Sequence, residues 1–155
     1  DGRYAHMRQA IGDHGGKWYA FFLLQAGLTV LFSLPFWVVA NNTGGSTVLL
    51  LPAVAIWLVS ISGESIADRQ LARFRGDPGN RGKVCDIGLW RYSRHPNYFF
   101  EWLHWFAYVV LSIGSPLWWL SLAGAALMLA SLLWVTGIPF VEQQSLRSRG
   151  DAYRE

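Results

Sequence analysis

Apolar residues fill two long runs of the chain, and polar segments carrying its charge flank and separate them. No Asp, Glu, Lys or Arg occurs from Trp18 to Gly63, or from Trp102 to Val141. At about 1.5 Å per helical residue each run reaches roughly 60–70 Å, enough for two crossings of a hydrocarbon core about 30 Å thick. The pattern predicts an all-α integral membrane bundle of about four transmembrane helices, with spans near residues 18–40, 47–63, 96–113 and 117–139. Trp18, Tyr19 and Trp37 sit near the ends of the first span, as interfacial aromatics do. Pro35 lies inside that span, where a missing backbone donor predicts a kink or an early end.

The breaks between spans differ in kind. Asn41–Ser46 (NNTGGS) and Gly114–Pro116 (GSP) are uncharged turns. Residues 69–95 instead carry Arg69, Arg73, Arg75, Arg81, Lys83, Arg91 and Arg94 against Asp77 and Asp86. The positive-inside rule makes this loop cytoplasmic, and basic residues beside both ends of the chain put the N- and C-termini on the same side. The second helix is expected to continue beyond the membrane surface to Arg75, where Gly76, Asp77, Pro78 and Gly79 end it. Pro96 suits the first turn of the third helix. With no internal repeat or linker, 1–155 reads as a single domain. The chain opens on Asp1 and stops in a polar segment just after Tyr153, so a fragment of a longer protein is expected.

Composition narrows the function. The chain is 52% hydrophobic and 15% charged, which argues against a freely soluble enzyme. The formal charge of +3 is better matched to anionic lipid or ligand phosphates than to nucleic acid in so apolar a chain. A single cysteine, Cys85, offers neither an internal disulfide nor a cysteine-based zinc site. His95 and His104 are nine residues apart, on opposite helix faces, so no shared metal is expected.

Three groupings could carry chemistry. Glu64 and Asp68 share a helix face, with Arg75 about two turns on; this fits a ligand site or a solvated helix end with an internal ion pair. Asn97, Glu101, His104 and Tyr108 form a polar stripe down an otherwise apolar helix. An ionisable group within a membrane helix should face the bundle interior or a wet cavity, which favours function over simple helix-to-helix hydrogen bonding. The run Arg91-Tyr-Ser-Arg-His-Pro-Asn-Tyr98 puts two arginines and a histidine at a helix N-terminus, a place suited to phosphate or to lipid headgroups.

Gly88-Leu-Trp-Arg-Tyr-Ser-Arg-His-Pro-Asn-Tyr98 followed by Glu101-Trp102 resembles the steroid 5-alpha-reductase superfamily, particularly its bacterial membrane branch. Glu64-Ser-Ile-Ala-Asp-Arg-Gln70, Phe74-Arg75, Thr136-Gly-Ile-Pro139, Glu142, Leu146, Gly150 and Tyr153 extend the likeness over most of residues 60–155. The resemblance implies a multi-pass membrane oxidoreductase, in a bacterial inner membrane with its cofactor side cytoplasmic. It would use NADPH to reduce a conjugated carbon–carbon double bond in a steroid or other hydrophobic lipid. By the same resemblance Asp68, Arg75, Asn97 and Glu101 match cofactor-holding positions, and Lys83 falls where the family often has a basic residue. Arg91, Arg94, His95 and Tyr98 complete the expected cofactor set, while Trp102, Trp105 and Phe106 would wall an apolar substrate. Glu101 is the one candidate acid in the chain, because the family's substrate-carbonyl acid and tyrosine come from earlier helices. Three departures from the family pattern stand out: Glu64 replaces a usual asparagine, Phe100 a usual glycine, and the sequence stops before the family's basic, proline-containing tail. The arginine-histidine-proline segment is also similar to isoprenylcysteine-type membrane methyltransferases, which makes an S-adenosylmethionine enzyme the alternative. A structural or lipid-binding membrane module is the third.

Overall fold

The computed structural model describes residues 15–135 and 137–149, and every regular element among them is helical. The helices are α1 (Gly15–Ala40), α2 (Leu50–Gly76), α3 (Pro96–Ser112), α4 (Trp118–Ala130) and α5 (Ile138–Arg149). Short 3-10 turns precede and follow α2, and a π-helical turn, Ser131–Val135, continues α4. Three stretches are long and apolar enough to cross a membrane: Gly15–Ala40, Thr47–Gly76 and Trp118–Gln143. The remaining predicted crossing corresponds to α3, whose 17 residues extend about 26 Å by the usual helical rise.

The chain divides into two compact units at Leu34/Pro35. The described part of the first is the apolar length of α1, where Trp18, Phe21 and Phe22 cluster with ring centroids 5.5–6.1 Å apart. Its two aliphatic hydroxyls are satisfied within the helix: Thr29 donates to the Gln25 carbonyl (2.9 Å) and Ser33 to that of Val30 (2.7 Å). Such internal pairing lowers the cost of placing a hydroxyl on an apolar helix.

In the second unit α1 continues past Pro35 to Ala40, so the proline does not end the helix as one reading of the sequence expects. Pro35 is buried, and a side chain on Gly124 of α4 would collide with its ring. Asn41 ends the helix by donating from its side chain to the Trp37 carbonyl (2.8 Å). The two uncharged turns then meet: Asn42 donates from Nδ2 to the carbonyls of Leu111 (2.9 Å) and Ile113 (3.0 Å). A Cβ on Gly44 would lie 2.7 Å from the Gly114 carbonyl oxygen, and Gly114 adopts φ +101°, so glycine is required where these backbones touch.

The predicted fourth span does not form one uninterrupted helix to Pro139. It is α-helical to Ala130, widens into the π turn and restarts at Ile138. Gly137 packs on the Leu132 carbonyl, 2.7 Å from where a Cβ would stand. That backbone contact accounts for a break that apolar composition alone does not reveal.

Candidate functional site

The site grows from the seam between α2 and α3. Ala53, Ser60, Ala67 and Phe74 are buried on α2 at intervals of seven, with Gly63 among them. Mostly small residues on one stripe let two helix backbones approach closely, the packing device favoured where lipid removes the hydrophobic drive. Ser60 returns its hydroxyl to the Ile56 carbonyl (2.8 Å). The Phe100 ring of α3 lies directly over Gly63, where any side chain would collide with it.

Beyond the seam, the basic loop is fastened to the end of α2. Trp90 donates from Nε1 to the Ala67 carbonyl (2.8 Å), and the Leu89 amide donates to Gln70 Oε1 (2.9 Å). Gly88 adopts φ +56° with the Gln70 side chain against it, leaving no room for a Cβ. Asn80 donates to the Phe74 carbonyl (3.1 Å), closing the C-terminus of α2. These ties fix the approach to α3, where His95 precedes the first turn and no side chain caps its N–H groups.

On one flank of the seam the carboxylates gather. Glu64 and Asp68 of α2 both lie close enough for their charges to act on Glu101 of α3, and Asp68 and Glu101 act likewise on Tyr98. Among the described residues none of Glu64, Asp68 and Arg75 forms an ion pair, so the internal pair allowed by their spacing is not made. The Oδ1 of Asn97, one turn before Glu101, is buried without a hydrogen-bond partner. Lower on the stripe, His104 and Tyr108 satisfy each other at 3.0 Å. His95 stacks on Tyr98 with centroids 5.4 Å apart and planes at 14°, and its Nε2 lies 3.5 Å from Glu142 Oε1 of α5. Burial holds the His95 imidazole below its ordinary value of 6.5; Glu142 opposes that shift and the Arg94 charge adds to it.

On the opposite flank lies an open groove of about 550 Å³. Val59, Ser62, Ile66 and Gln70 of α2 form one wall, and Leu89, Arg91, Tyr92 and Phe100 contribute the other. A second hollow, of about 590 Å³, lies beneath the loop between Arg73, Asp77, Lys83 and Asp86.

A family model matches residues 1–155, and its description is "Protein of unknown function (DUF1295)". The chain belongs to the DUF1295 family. No curated protein and no solved structure matches it.

In this DUF1295 chain the expected cofactor residues do not all come together. Asp68, Tyr98 and Glu101 come together, with His95 stacked on Tyr98 and Asn97 one turn from Glu101. Arg94 stands next to His95, and Arg75 is exposed farther along α2. Arg91 instead lines the groove, and Lys83 the hollow beneath the loop. The expected substrate wall is engaged in packing: Trp102 donates to the Ala125 carbonyl (3.2 Å) and meets Phe106 edge-on, while Trp105 lies against Phe36. Thr136, Gly150 and Tyr153 lie outside the described residues. Sequence reasoning missed the positioning parts, Gly63, Gln70 and Trp90, and the Glu142 contact to His95. Trp90 carried a usable signal, the one tryptophan in the charged 69–95 loop, but its acceptor is a backbone carbonyl 23 residues away.

Proposed function

We propose that this chain is the cofactor-holding part of a four-crossing membrane reductase with both termini and the 69–95 loop cytoplasmic. NADPH is the proposed cofactor and an enone-bearing steroid or other hydrophobic lipid the proposed substrate class. The observation that carries the reading is the buried, unpartnered Oδ1 of Asn97 beside the grouped Asp68, Tyr98 and Glu101. A buried acceptor without a donor is costly, and a nicotinamide carboxamide or ribose hydroxyl supplies that donor. Asp68 and Glu101 are acceptors for further hydroxyl or amide donors. The uncapped first turn of α3, with Arg94 before it and Arg75 along α2, suits the phosphates. When bound, NADPH supplies the hydride that reduces the double bond. The protein's part is to orient the nicotinamide end against α3 and keep the phosphates at the cytoplasmic edge.

Equilibrium binding of NADPH, NADH and S-adenosylmethionine to the detergent-purified chain at two salt concentrations tests this reading. NADPH should bind with marked salt sensitivity, and Asn97→Ala and Glu101→Gln should each weaken it roughly tenfold while helicity is retained, the scale of one lost hydrogen bond. Selective binding of S-adenosylmethionine would replace the reductase with the methyltransferase. A folded chain that binds neither would leave a structural module.

A further inference from the structure

The groove on the flank away from Glu101 has a polarity that specifies an occupant. Its α2 wall runs from Val59 to Gln70, about 16 Å of helix that begins inside the predicted second span, 47–63, and continues past its loop end. Val59, Ile66 and Phe100 make the membrane-ward part apolar. At the loop end stand Arg91, Tyr92 and Gln70, and among the described residues no carboxylate lines the groove. Among the described residues Arg91 forms no ion pair. Gln70 spends its Oε1 on the Leu89 amide, which leaves its NH2 as a donor. Arg91, the Gln70 side chain and an amphipathic tyrosine therefore close the loop end of a groove whose other end lies inside the span. The Trp90 and Leu89 bonds to α2 hold that end in place, so the cation is carried on a fastened loop.

We propose that this groove is a binding site for an anionic phospholipid of the leaflet next to the basic loop. An acyl chain would lie along Val59, Ile66 and Phe100, and the headgroup phosphate would meet Arg91 and the Gln70 amide. The site is separate from the Asp68/Glu101 flank, so it does not depend on the proposed cofactor. It also takes Arg91 out of the cofactor set.

The full-length chain, reconstituted with equal phosphatidylglycerol and phosphatidylcholine and re-extracted into neutral detergent, provides the test. Lipid retained per protein is read by mass spectrometry for the parent chain, Arg91→Gln, Ile66→Trp and Arg81→Gln. The parent should retain phosphatidylglycerol over phosphatidylcholine. Arg91→Gln should lower that preference roughly tenfold, as expected for a lost charge-assisted hydrogen bond. Arg81→Gln, which removes a loop cation outside the groove, should leave it unchanged. Ile66→Trp should displace the lipid by filling the channel, with helicity checked by circular dichroism; Arg91→Gln, an exposed position, decides the matter if the tryptophan variant does not fold. No preference in the parent, or equal losses in Arg91→Gln and Arg81→Gln, would overturn the proposal. Displacement by millimolar glycerol phosphate would also overturn it, showing a simple anion site instead of a lipid groove.

Discussion

Gly63 and Phe100 show how one residue sets the terms for another across a helix seam. A side chain at 63 would enter the space of the Phe100 ring. Gly63→Val should therefore destabilise the chain by about 1–3 kcal/mol, the usual cost of overpacking a close contact. Adding Phe100→Ala should recover part of the loss, and a thermal-unfolding double-mutant cycle in detergent reads the coupling. If the two losses simply add, the ring does not press on position 63. His95 makes a second residue-scale case. Its imidazole is held below 6.5, chiefly by burial, so on acidification the unfolded chain takes up a proton before the folded one does. Stability should fall as pH drops through 6.5 and level off once the folded-state value is passed. Glu142→Gln removes the contact that opposes the shift and should lower the folded value further. Histidine titration by NMR checks both, and a His95 that titrates at or above 6.5 would contradict them.

At the scale of elements, the basic loop is a fastened part of the α2–α3 pair. Trp90→Phe keeps the ring and loses the Nε1 bond to Ala67, so it should cost about 1 kcal/mol. Amide hydrogen exchange should rise at residues 88–91 while α2 above Gly63 remains protected; unchanged exchange would mean that the bond does not hold the loop. Helix positions were largely legible because each span combines apolar residues with recognisable stops. Residues 76–79 end α2 and Pro96 opens α3, as the turn chemistry predicts. Pro35 and the interrupted end of the fourth span were not legible. The first depends on Gly124 lying under the proline ring and the second on Gly137 meeting the Leu132 carbonyl, and neither contact leaves a periodic trace.

Across the whole molecule, the two uncharged turns come together and the charged loop closes the other end of the α2–α3 pair. In a Cys85→Ser background, Thr43→Cys and Pro116→Cys should be labelled from one side of the membrane and Arg81→Cys from the other, as a membrane-impermeant maleimide reports. Labelling of positions 43 and 116 from opposite sides would end the four-crossing arrangement. The sequence by itself determined the helical membrane character, the turns and the polar stripes, because the cost of placing charge and unpaired backbone in hydrocarbon is written into composition and spacing. Spacing left Asp68 and the Asn97/Glu101 stripe in separate groupings, and only the family resemblance put them in one candidate set. The division of the basic residues was left to tertiary structure. Arg91 goes to the groove and Lys83 to the hollow beneath the loop, while Arg94 stays beside His95. The tertiary structure also left Asn97 Oδ1 without a partner and engaged Trp102 and Trp105 in packing. Which flank a side chain occupies depends on how α3 crosses α2, and that crossing is set by the fit of Phe100 over Gly63 and of Trp90 onto the Ala67 carbonyl.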